Sequence, residues 1–410
     1  MAYDRAQVTL SGTLIVDLTR VMSGPYCTMT LADLGARVIK VERPGRGDDT
    51  RAWGPPFVAG ESTYFLSVNR NKESLTLDFQ KPEGRALLER LITRADVLVE
   101  NFRPGTLARH GLDHETISAS HPGLVYCSIS GYGQTGPRRD LAGYDAVVQA
   151  EGGLMSITGD PDGPPFRLGL PIADMVAGLF AAQGITAALL ERTRTGRGRR
   201  VDVSMLDAVA ALLTYQATAY LAASAAPARF GNGHISIVPY DTFMARDGQL
   251  MLAVGNDDQW RRLCAAAELD DVATDPRFAT NPQRVQHRHA LQPILENAFR
   301  RHDRAEWTRR LGLAGVPCGN VRDIGEALAD PQLEARGMLI SVAHPIAGPV
   351  RLVGSPIKMS KPHGDGAVND EATAGLNPPP TLGQHTEQIL MGELGLSGED
   401  IEGLRQREVI

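Results

Sequence analysis

The chain has 410 residues, of which 42% are hydrophobic and 22% are charged, a balance typical of globular proteins. Its 42 basic and 48 acidic side chains give a formal net charge of −6, so no bulk attraction to nucleic acid or to a membrane surface is expected. The length is too great for one compact core, and two structural domains are expected.

The cysteines and the N-terminal residues indicate the cellular compartment. The four cysteines are far apart and form no CxxC pair: Cys27, Cys127, Cys264 and Cys318. They are predicted to be reduced thiols in a cytoplasmic protein, and no export signal is recognised at the N-terminus. The most apolar segment, residues 175–190, has 16 residues. A bilayer span needs about 20, so this segment is predicted to be a buried helix.

Short apolar runs alternate with helical patterns in the first half of the chain. The predicted strands are residues 14–18, 37–41, 96–100 and 124–129. The predicted helices are residues 26–34, 82–94, 175–190 and 206–223. Strand, helix and strand at this spacing indicate βαβ units and a mainly parallel, Rossmann-like α/β sheet.

The pattern changes after about residue 225. Residues 239–254 are typical of a hairpin that turns at Asp247-Gly248, and helical patterns follow at residues 259–267, 285–300 and 304–311. We therefore predict a large α/β domain in residues 1–224 and a smaller α+β domain in residues 225–330. Residues 331–410 are predicted to return to the large domain and to end in an amphipathic helix.

One glycine motif argues for a nucleotide site and is rejected. Residues 131–136 match the dinucleotide-binding pattern GxGxxG after a predicted strand. That motif requires the glycines to open a helix, whereas Pro137, Arg138 and Asp140 favour a loop. The segment is therefore interpreted as a loop at the carboxyl end of a strand, where open α/β sheets bind their ligands.

Two polar clusters are given structural interpretations. His287 and His289 are predicted to lie on a helix, where residues two apart point to different sides, so no metal site is predicted. The arginine-rich residues 192–200 are interpreted as a helix C-terminus, a turn and the start of a strand. A ligand-binding role for these arginines is the less favoured alternative.

Asp174 has two interpretations. It follows Pro171 and precedes a long, nearly uncharged helical pattern, so it falls at the N-cap or in the first helical turn. Aspartate is a preferred N-cap that contributes about 1 kcal/mol, and position alone favours capping. The same position suits a covalent catalyst, because a helix N-terminus stabilises a carboxylate and offers N–H groups to a developing oxyanion.

Many short segments follow one another in an order that matches a known family from about residue 10 to the end. They are residues 16–20, 24–25, 34–44, 69–72, 99–105, 130–133, 143–145, 171–174, 195–198, 201–205, 231–234, 317–319 and 382–386. In this order they resemble the class III CoA-transferases, which include formyl-CoA, carnitine and bile-acid CoA-transferases and the methylacyl-CoA racemases.

The resemblance implies a role for particular positions. Asp174 stands at the position of the family's nucleophilic aspartate. The positions at which the family binds CoA or faces the reacting thioester are Arg43, Asn101, Phe102, Arg103, Arg109, Tyr144 and Asp145. Arginines can pair with phosphates and an aromatic ring can pack near adenine or pantetheine. For the arginines, a surface ion pair is an equally open alternative.

The resemblance also implies the reaction and the assembly. CoA would pass from an acyl-CoA, such as succinyl-CoA, to a small carboxylic acid through an aspartyl-CoA thioester, with no prosthetic group or metal. The family forms interlocked homodimers. The alternatives are a 2-methylacyl-CoA racemase and a non-catalytic CoA-binding relative.

Three positions narrow the choice of reaction and substrate. Tyr144 replaces the histidine of the racemases, and tyrosine, with a pKa of about 10, is a poor base. Formyl-CoA transferase has a glycine run where this chain has residues 235–238, and a glutamine where it has Met22. Oxalate and formate are therefore not expected as substrates.

Overall fold

The computed structural model describes residues 9–359 and 376–410, and the chain divides into two compact units. Of the described residues, the larger unit contains 9–155, Arg167–Ala225, 331–359 and 376–410. The smaller unit contains Ser156–Phe166 and Ala226–Asp330. The expected division at residues 224/225 and 330/331 differs from this one mainly at Ser156–Phe166, which groups with the smaller unit. Part of the expected C-terminal segment, residues 360–375, lies outside the described residues.

The strands are short. In chain order they are β1 (Leu14–Asp17), β2 (Arg37–Glu42), β3 (Phe57–Val58), β4 (Glu61–Ser62), β5 (Lys72–Thr76), β6 (Val97–Glu100), β7 (Val125–Ser130), β8 (Arg200–Ser204), β9 (Tyr240–Ala245), β10 (Gly248–Ala253), β11 (Cys318–Asn320), β12 (Leu339–His344) and β13 (Gly348–Val353).

Helices separate most of these strands. They are α1 (Ser23–Asp33), α2 (Thr63–Val68), α3 (Pro82–Ile92), α4 (His114–Ser120), α5 (Asp145–Glu151), α6 (Ile172–Thr195), α7 (Met205–Leu212), α8 (Thr214–Ala223), α9 (Asp257–Ala266), α10 (Asp270–Thr274), α11 (Asn281–Gln286), α12 (Arg288–Phe299), α13 (Arg304–Leu313), α14 (Ile324–Leu328), α15 (Pro331–Ala335), α16 (Thr386–Leu394) and α17 (Gly398–Gln406).

A six-stranded parallel sheet forms the centre of the larger unit, in the order β5-β2-β1-β6-β7-β8, which confirms the predicted parallel sheet. The chain builds outward from β1 to β2 and β5, and then returns to add β6, β7 and β8 on the other side of β1. The strand order therefore reverses between β1 and β6. The crevice outside the carboxyl ends of these two strands is where open α/β sheets bind ligands.

Alternate residues of the central strands enter two separate cores. Val16 belongs to the core that α3, α16 and α17 cover, whereas its neighbour Ile15 belongs to the core that α1, α6 and α7 cover. Because both faces of the sheet are buried, its strands read as continuous apolar runs.

Helix α6 differs in part from its prediction. It has 24 residues, more than predicted, and by length and composition alone it could cross a membrane. On one face Ala177, Ala181 and Ile185 are fully buried and the helix packs against α1, as a core helix does. The other face exposes Leu179 and Leu190, so the prediction of a buried helix was wrong for that face.

Two other predicted helices are interrupted. Residues 206–223 belong to α7 and α8, because Thr214, the first residue of α8, adopts a positive φ of 38°. The amphipathic C-terminal segment forms α16 and α17, and Gly395 ends the first of these in the left-handed conformation.

The smaller unit packs helices against an antiparallel sheet in the order β11-β10-β9. The predicted β9–β10 hairpin is confirmed, but its turn residues are Arg246 and Asp247, because Ala245 pairs with Gly248. The predicted helix over residues 285–300 is interrupted at His287, between α11 and α12. This histidine therefore does not share a regular helix with His289.

The crossing of α1 and α6 generates the first prediction. A Cβ atom on Gly178 of α6 would lie 2.5 Å from the carbonyl oxygen of Ser23 in α1. Gly178→Ala must therefore push the helices apart, and we expect the free energy of unfolding, measured by urea denaturation, to fall by about 1–3 kcal/mol. The control is Gly392→Ala in α16, where an added Cβ meets nothing within 4 Å. This control should gain about 0.5–1 kcal/mol, and equal losses in both variants would contradict the close approach.

Candidate active site

Two adjoining cavities occupy the crevice outside β1 and β6. The first has a volume of about 180 Å³ and contains Asp174 in its lining. The second has a volume of about 230 Å³ and contains Arg43. Arg20, Phe102 and Arg103 line both cavities, so the two share a common wall.

Asp174 is the third residue of α6, which confirms its placement in the first helical turn. Its carboxylate accepts hydrogen bonds from the hydroxyl and from the backbone N–H of Ser23. Ser23 is the first residue of α1, and the preceding residue, Met22, provides no side-chain cap. The carboxylate of Asp174 therefore lies at the N-terminus of a second helix, where free N–H groups and the helix dipole favour an anion.

Asp145, and not Asp174, caps α6. One carboxylate oxygen of Asp145 accepts the N–H groups of Ala173 and Asp174, at 2.8 and 3.4 Å. The Nε2 atom of Gln149 donates to the other oxygen at 2.7 Å. No side chain caps α6 from its own N-cap position, Pro171. The interpretation of Asp174 as a helix cap was therefore wrong, and its carboxylate is free for another role.

The electrostatic environment makes the Asp174 carboxylate unusually easy to neutralise. Burial, followed by the like charge of Asp145, raises the pKa of Asp174 to about 7, while the hydrogen bonds from Ser23 act in the opposite direction. Any reaction that turns this carboxylate into a neutral acyl derivative relieves both unfavourable effects. A poorly solvated carboxylate held in this way is suited to nucleophilic catalysis.

The predicted segment of residues 101–103 lies at the wall between the cavities. Asn101 accepts the N–H of Arg20 at 2.9 Å and donates to the carbonyl oxygen of Arg20 at 2.7 Å. Its amide group therefore fixes the β1–α1 loop. Phe102 makes an edge-to-face contact with Phe79, with the ring centroids 6.0 Å apart, and Arg103 is exposed.

The other predicted binding residues differ in their placement. Arg43 is exposed and lines the second cavity, whereas Tyr144 is 67% exposed and lines the first. Arg109 is exposed in the short 3₁₀ helix Ala108–His110 and lines neither cavity, although the adjacent His110 lines the second one. The structure therefore brings the predicted residues together with the exception of Arg109.

Two residues between the end of β1 and the start of α1, Arg20 and Ser23, were not identified from the sequence. Ser23 precedes Gly24-Pro25, and a proline in a first helical turn was the available signal for a helix start at Ser23. Arg20 has a buried Nε atom without a hydrogen-bond partner among the described residues, and its Nη1 atom lies 3.5 Å from Asp49. The Nε–H group is therefore a buried donor with no acceptor among the described residues, which is uncommon in folded proteins.

The rejected glycine motif is a loop, as predicted. No helix begins between the end of β7 and Asp145. A Cβ atom on Gly131 would lie 2.5 Å from the Cα atom of Gly143, so this glycine permits two backbone segments to cross. Among the described residues, no group of three or more histidine, cysteine or acidic side chains is placed to hold a metal ion. The four cysteines are free thiols.

Comparison with known proteins decides the family. Residues 10–386 match the model of CoA-transferase family III. The chain belongs to CoA-transferase family III. It is therefore an enzyme that transfers CoA from an acyl-CoA to a carboxylic acid.

Three relatives illustrate the match. The mouse succinyl-CoA:glutarate CoA-transferase is 44% identical, over 96% of this chain and 88% of its own. The acetyl-CoA:oxalate CoA-transferase of Acetobacter aceti is also 44% identical, over 85% of this chain and 88% of its own. The crystal structure of a CAIB/BAIF family protein from Brucella suis matches with a TM-score of 0.82 and 41% identity, covering 94% of this chain and 99% of that one.

The like charge of Asp145 near Asp174 predicts how the activity depends on pH. If ionised Asp174 is required, kcat/KM should fall as the pH drops through about 7. Asp145→Asn removes the like charge but keeps the capping geometry, because asparagine caps as well as aspartate. The pKa of Asp174 should then fall, so the acid limb of the pH profile should move to lower pH.

The matched control is Asp49→Asn. Asp49 lines the same cavity but does not perturb the pKa of Asp174, so the limb should stay in place. An acid limb that is unchanged in Asp145→Asn would contradict the assigned electrostatic interaction.

Proposed function

We propose that this enzyme transfers CoA from succinyl-CoA to a short dicarboxylic acid such as glutarate, with Asp174 as the covalent nucleophile. The observation that carries the proposal is the Asp174 carboxylate, which is freed from capping and bound by the hydroxyl and N–H of Ser23.

The proposed reaction has two symmetric halves. A carboxylate oxygen of Asp174 attacks the thioester carbonyl, which forms an acyl-aspartyl anhydride and releases CoA thiolate. The thiolate then attacks the aspartyl carbonyl, so that an aspartyl-CoA thioester forms and the donor acid leaves. The acceptor carboxylate reverses these two steps and regenerates the Asp174 carboxylate. Dividing the transfer in this way replaces one difficult step by easier ones.

The α1 N-terminus has a further part in this scheme. The N–H and hydroxyl of Ser23 hold the carboxylate before the attack. Once that carboxylate is acylated, the same donors are available to the oxyanion that develops when thiolate or acceptor attacks the aspartyl carbonyl. Because the donors are fixed by α1, no reorganisation is needed between the steps.

The CoA moiety is proposed to extend along both cavities. Arg43 would pair with a phosphate at the outer end of the second cavity, and Phe102 would pack against adenine or pantetheine at the common wall. The guanidinium group of Arg20, which lines both cavities, would attract an anionic group of the CoA moiety. Arg103, which lines both cavities, would contribute positive charge to each, whereas Arg109 lines neither cavity.

The proposed acid pair rests on the name of the mouse relative, which gives succinyl-CoA and glutarate. The Acetobacter relative has oxalate in its name, whereas the sequence at residues 235–238 argues against oxalate here. A screen of glutarate, oxalate, formate and valerate as acceptors for succinyl-CoA and acetyl-CoA separates these possibilities. The proposal requires glutarate to exceed the monocarboxylic valerate.

The racemase alternative receives less support from the cavity. Its lining contains Tyr144 and no histidine among the described residues. An exchange experiment in deuterium oxide without an acceptor acid distinguishes the two reactions, since only the racemase takes up deuterium at the α-carbon.

We further propose a cytoplasmic homodimer with a Rossmann-like large domain. Exposed apolar side chains on α6 and α8 support the dimer, and they include Leu179, Leu190, Tyr220 and Leu221. A monomer by sedimentation analysis at micromolar concentration would contradict this assembly.

The decisive variant for the nucleophile is Asp174→Asn. The amide is nearly isosteric, so folding and CoA binding should change little, but it forms no anhydride. We expect kcat to fall by about three or more orders of magnitude, measured as CoA transfer with freshly prepared protein. Asp49→Asn, in the same cavity, is the control that should retain activity of the wild-type order.

Residual activity in Asp174→Asn needs a time course, because deamidation back to aspartate restores the enzyme. Near-normal turnover without deamidation, verified by peptide mass spectrometry, would exclude Asp174 as the nucleophile.

A further inference from the structure

The β1–α1 loop, which leads into Ser23 at the start of α1, is held by side chains from three other segments. The N–H of Thr19 donates to Asp17 at 2.8 Å, and its carbonyl oxygen accepts from the Nζ of Lys40 at 2.8 Å. Asn101 holds both backbone groups of Arg20. Each backbone polar group of Thr19 and Arg20 thus has a side-chain partner, and the path of the loop is fixed.

The next residue, Val21, is held in an unfavourable conformation. Its φ is 70°, in the left-handed region that a β-branched residue rarely adopts. Its N–H donates to the carboxylate of Asp48, at 3.2 and 3.3 Å to the two oxygens. Such strain persists only when surrounding interactions enforce it, and it is concentrated at functional sites.

Asp48 is itself part of a buried ion-pair network. Asp48 and Lys40 are paired at 2.9 Å, and both side chains are completely buried. Burial alone would raise the pKa of Asp48, but Lys40 and the hydrogen bonds from Thr50 hold it well below the ordinary value. The carboxylate therefore remains ionised beneath the loop.

The ion pair is also distinct from the reacting groups. Asp48 and Lys40 line the second cavity and are absent from the lining of the first, which contains Asp174. A buried charge pair of this kind is costly to desolvate, and its retention is explained if it fixes one conformation.

We infer that Asp48, held by Lys40, is a positioning residue that places Ser23 against Asp174 through the strained backbone of Val21. This inference rests on the proposed function, in which the carboxylate of Asp174 is the nucleophile. Asp48 touches neither Asp174 nor its hydrogen-bond donors; it acts two residues upstream of Ser23.

The test compares Asp48→Asn with Asp33→Asn. Asp33 forms another buried ion pair, with Arg70, at the other end of α1 and has no contact with the loop, so it controls for the loss of any buried pair. We expect Asp48→Asn to lower kcat for CoA transfer at saturating acyl-CoA by about 10- to 100-fold, the effect of a small misplacement in an active site. Asp33→Asn should change stability but not kcat of the folded fraction.

A second readout is specific to positioning. Because the hydrogen bonds from Ser23 lower the pKa of Asp174, their loss should move the acid limb of kcat to higher pH in Asp48→Asn. The variant leaves in place the other charged or titratable groups that face Asp174, which are Arg20, Asp49, Tyr64, Arg103, Tyr144 and Asp145. The direction is opposite to that expected for Asp145→Asn.

A double-mutant cycle identifies Ser23 as the intermediary. Ser23→Ala removes the hydroxyl contact with Asp174 and keeps the backbone N–H contact. In this background Asp48→Asn should therefore cause a smaller further loss of kcat than it causes in the wild type. If Asp48→Asn does not fold, Thr50→Val provides the milder change. The hydroxyl of Thr50 donates at 2.8 Å to Oδ1 of Asp48, one of the two oxygens that accept the N–H of Val21.

The outcomes separate the two proposals. A wild-type protein that transfers no CoA overturns the proposed function and this inference with it. An active wild type together with an Asp48→Asn variant that matches Asp33→Asn in kcat and in its acid limb overturns the inference alone. The inference is also overturned if Asp48→Asn lowers kcat by the same factor in the Ser23→Ala background as in the wild type.

Discussion

The hydrogen bonds from Ser23 to the Asp174 carboxylate are the interaction on which the site depends. They bring the N-terminus of one helix to the first turn of another, so the side chain is held by α1 although its backbone belongs to α6. Asp145 makes this possible by capping α6 in its place. One carboxylate therefore stabilises the helix, and the other, which is poorly solvated, is the proposed nucleophile.

The topology of the sheet determines where these elements meet. Strand order reverses between β1 and β6, so the loops that follow the two strands diverge to opposite sides and leave a crevice. The loop after β1 leads into α1 and Ser23, and the segment after β6 supplies Asn101, which fixes that loop. Close contact between α1 and α6 requires Gly178, since any side chain there would meet the backbone of Ser23. Ser23 therefore takes part both in the packing of α1 against α6 and in the contact with the Asp174 carboxylate.

Much of this arrangement could be predicted from local sequence. The strands of the central sheet have continuous apolar runs, which are typical of strands that are buried on both faces. Pro171 and the uncharged helical pattern that follows predict that Asp174 lies at the N-cap or in the first turn of a helix. Contacts between distant segments could not be read in this way. The capping of α6 by Asp145 depends on a neighbour 28 residues upstream in the chain, and position alone favoured Asp174 as the cap. The burial of Lys40 and Asp48 is likewise invisible locally, because charged residues are ordinarily exposed. Thr214 interrupts a helical pattern through a backbone angle that composition does not signal.

The central claim is that the carboxylate oxygens of Asp174 enter the reaction. Turnover with succinyl-CoA and an acceptor acid labelled with heavy oxygen in its carboxylate tests this claim most directly. The account predicts that one labelled oxygen passes from the acceptor to the side chain of Asp174, where mass spectrometry of the proteolytic peptide detects it, and then to the succinate released in the next turnover. Rapid CoA transfer without label in Asp174 or in the released succinate would contradict the account.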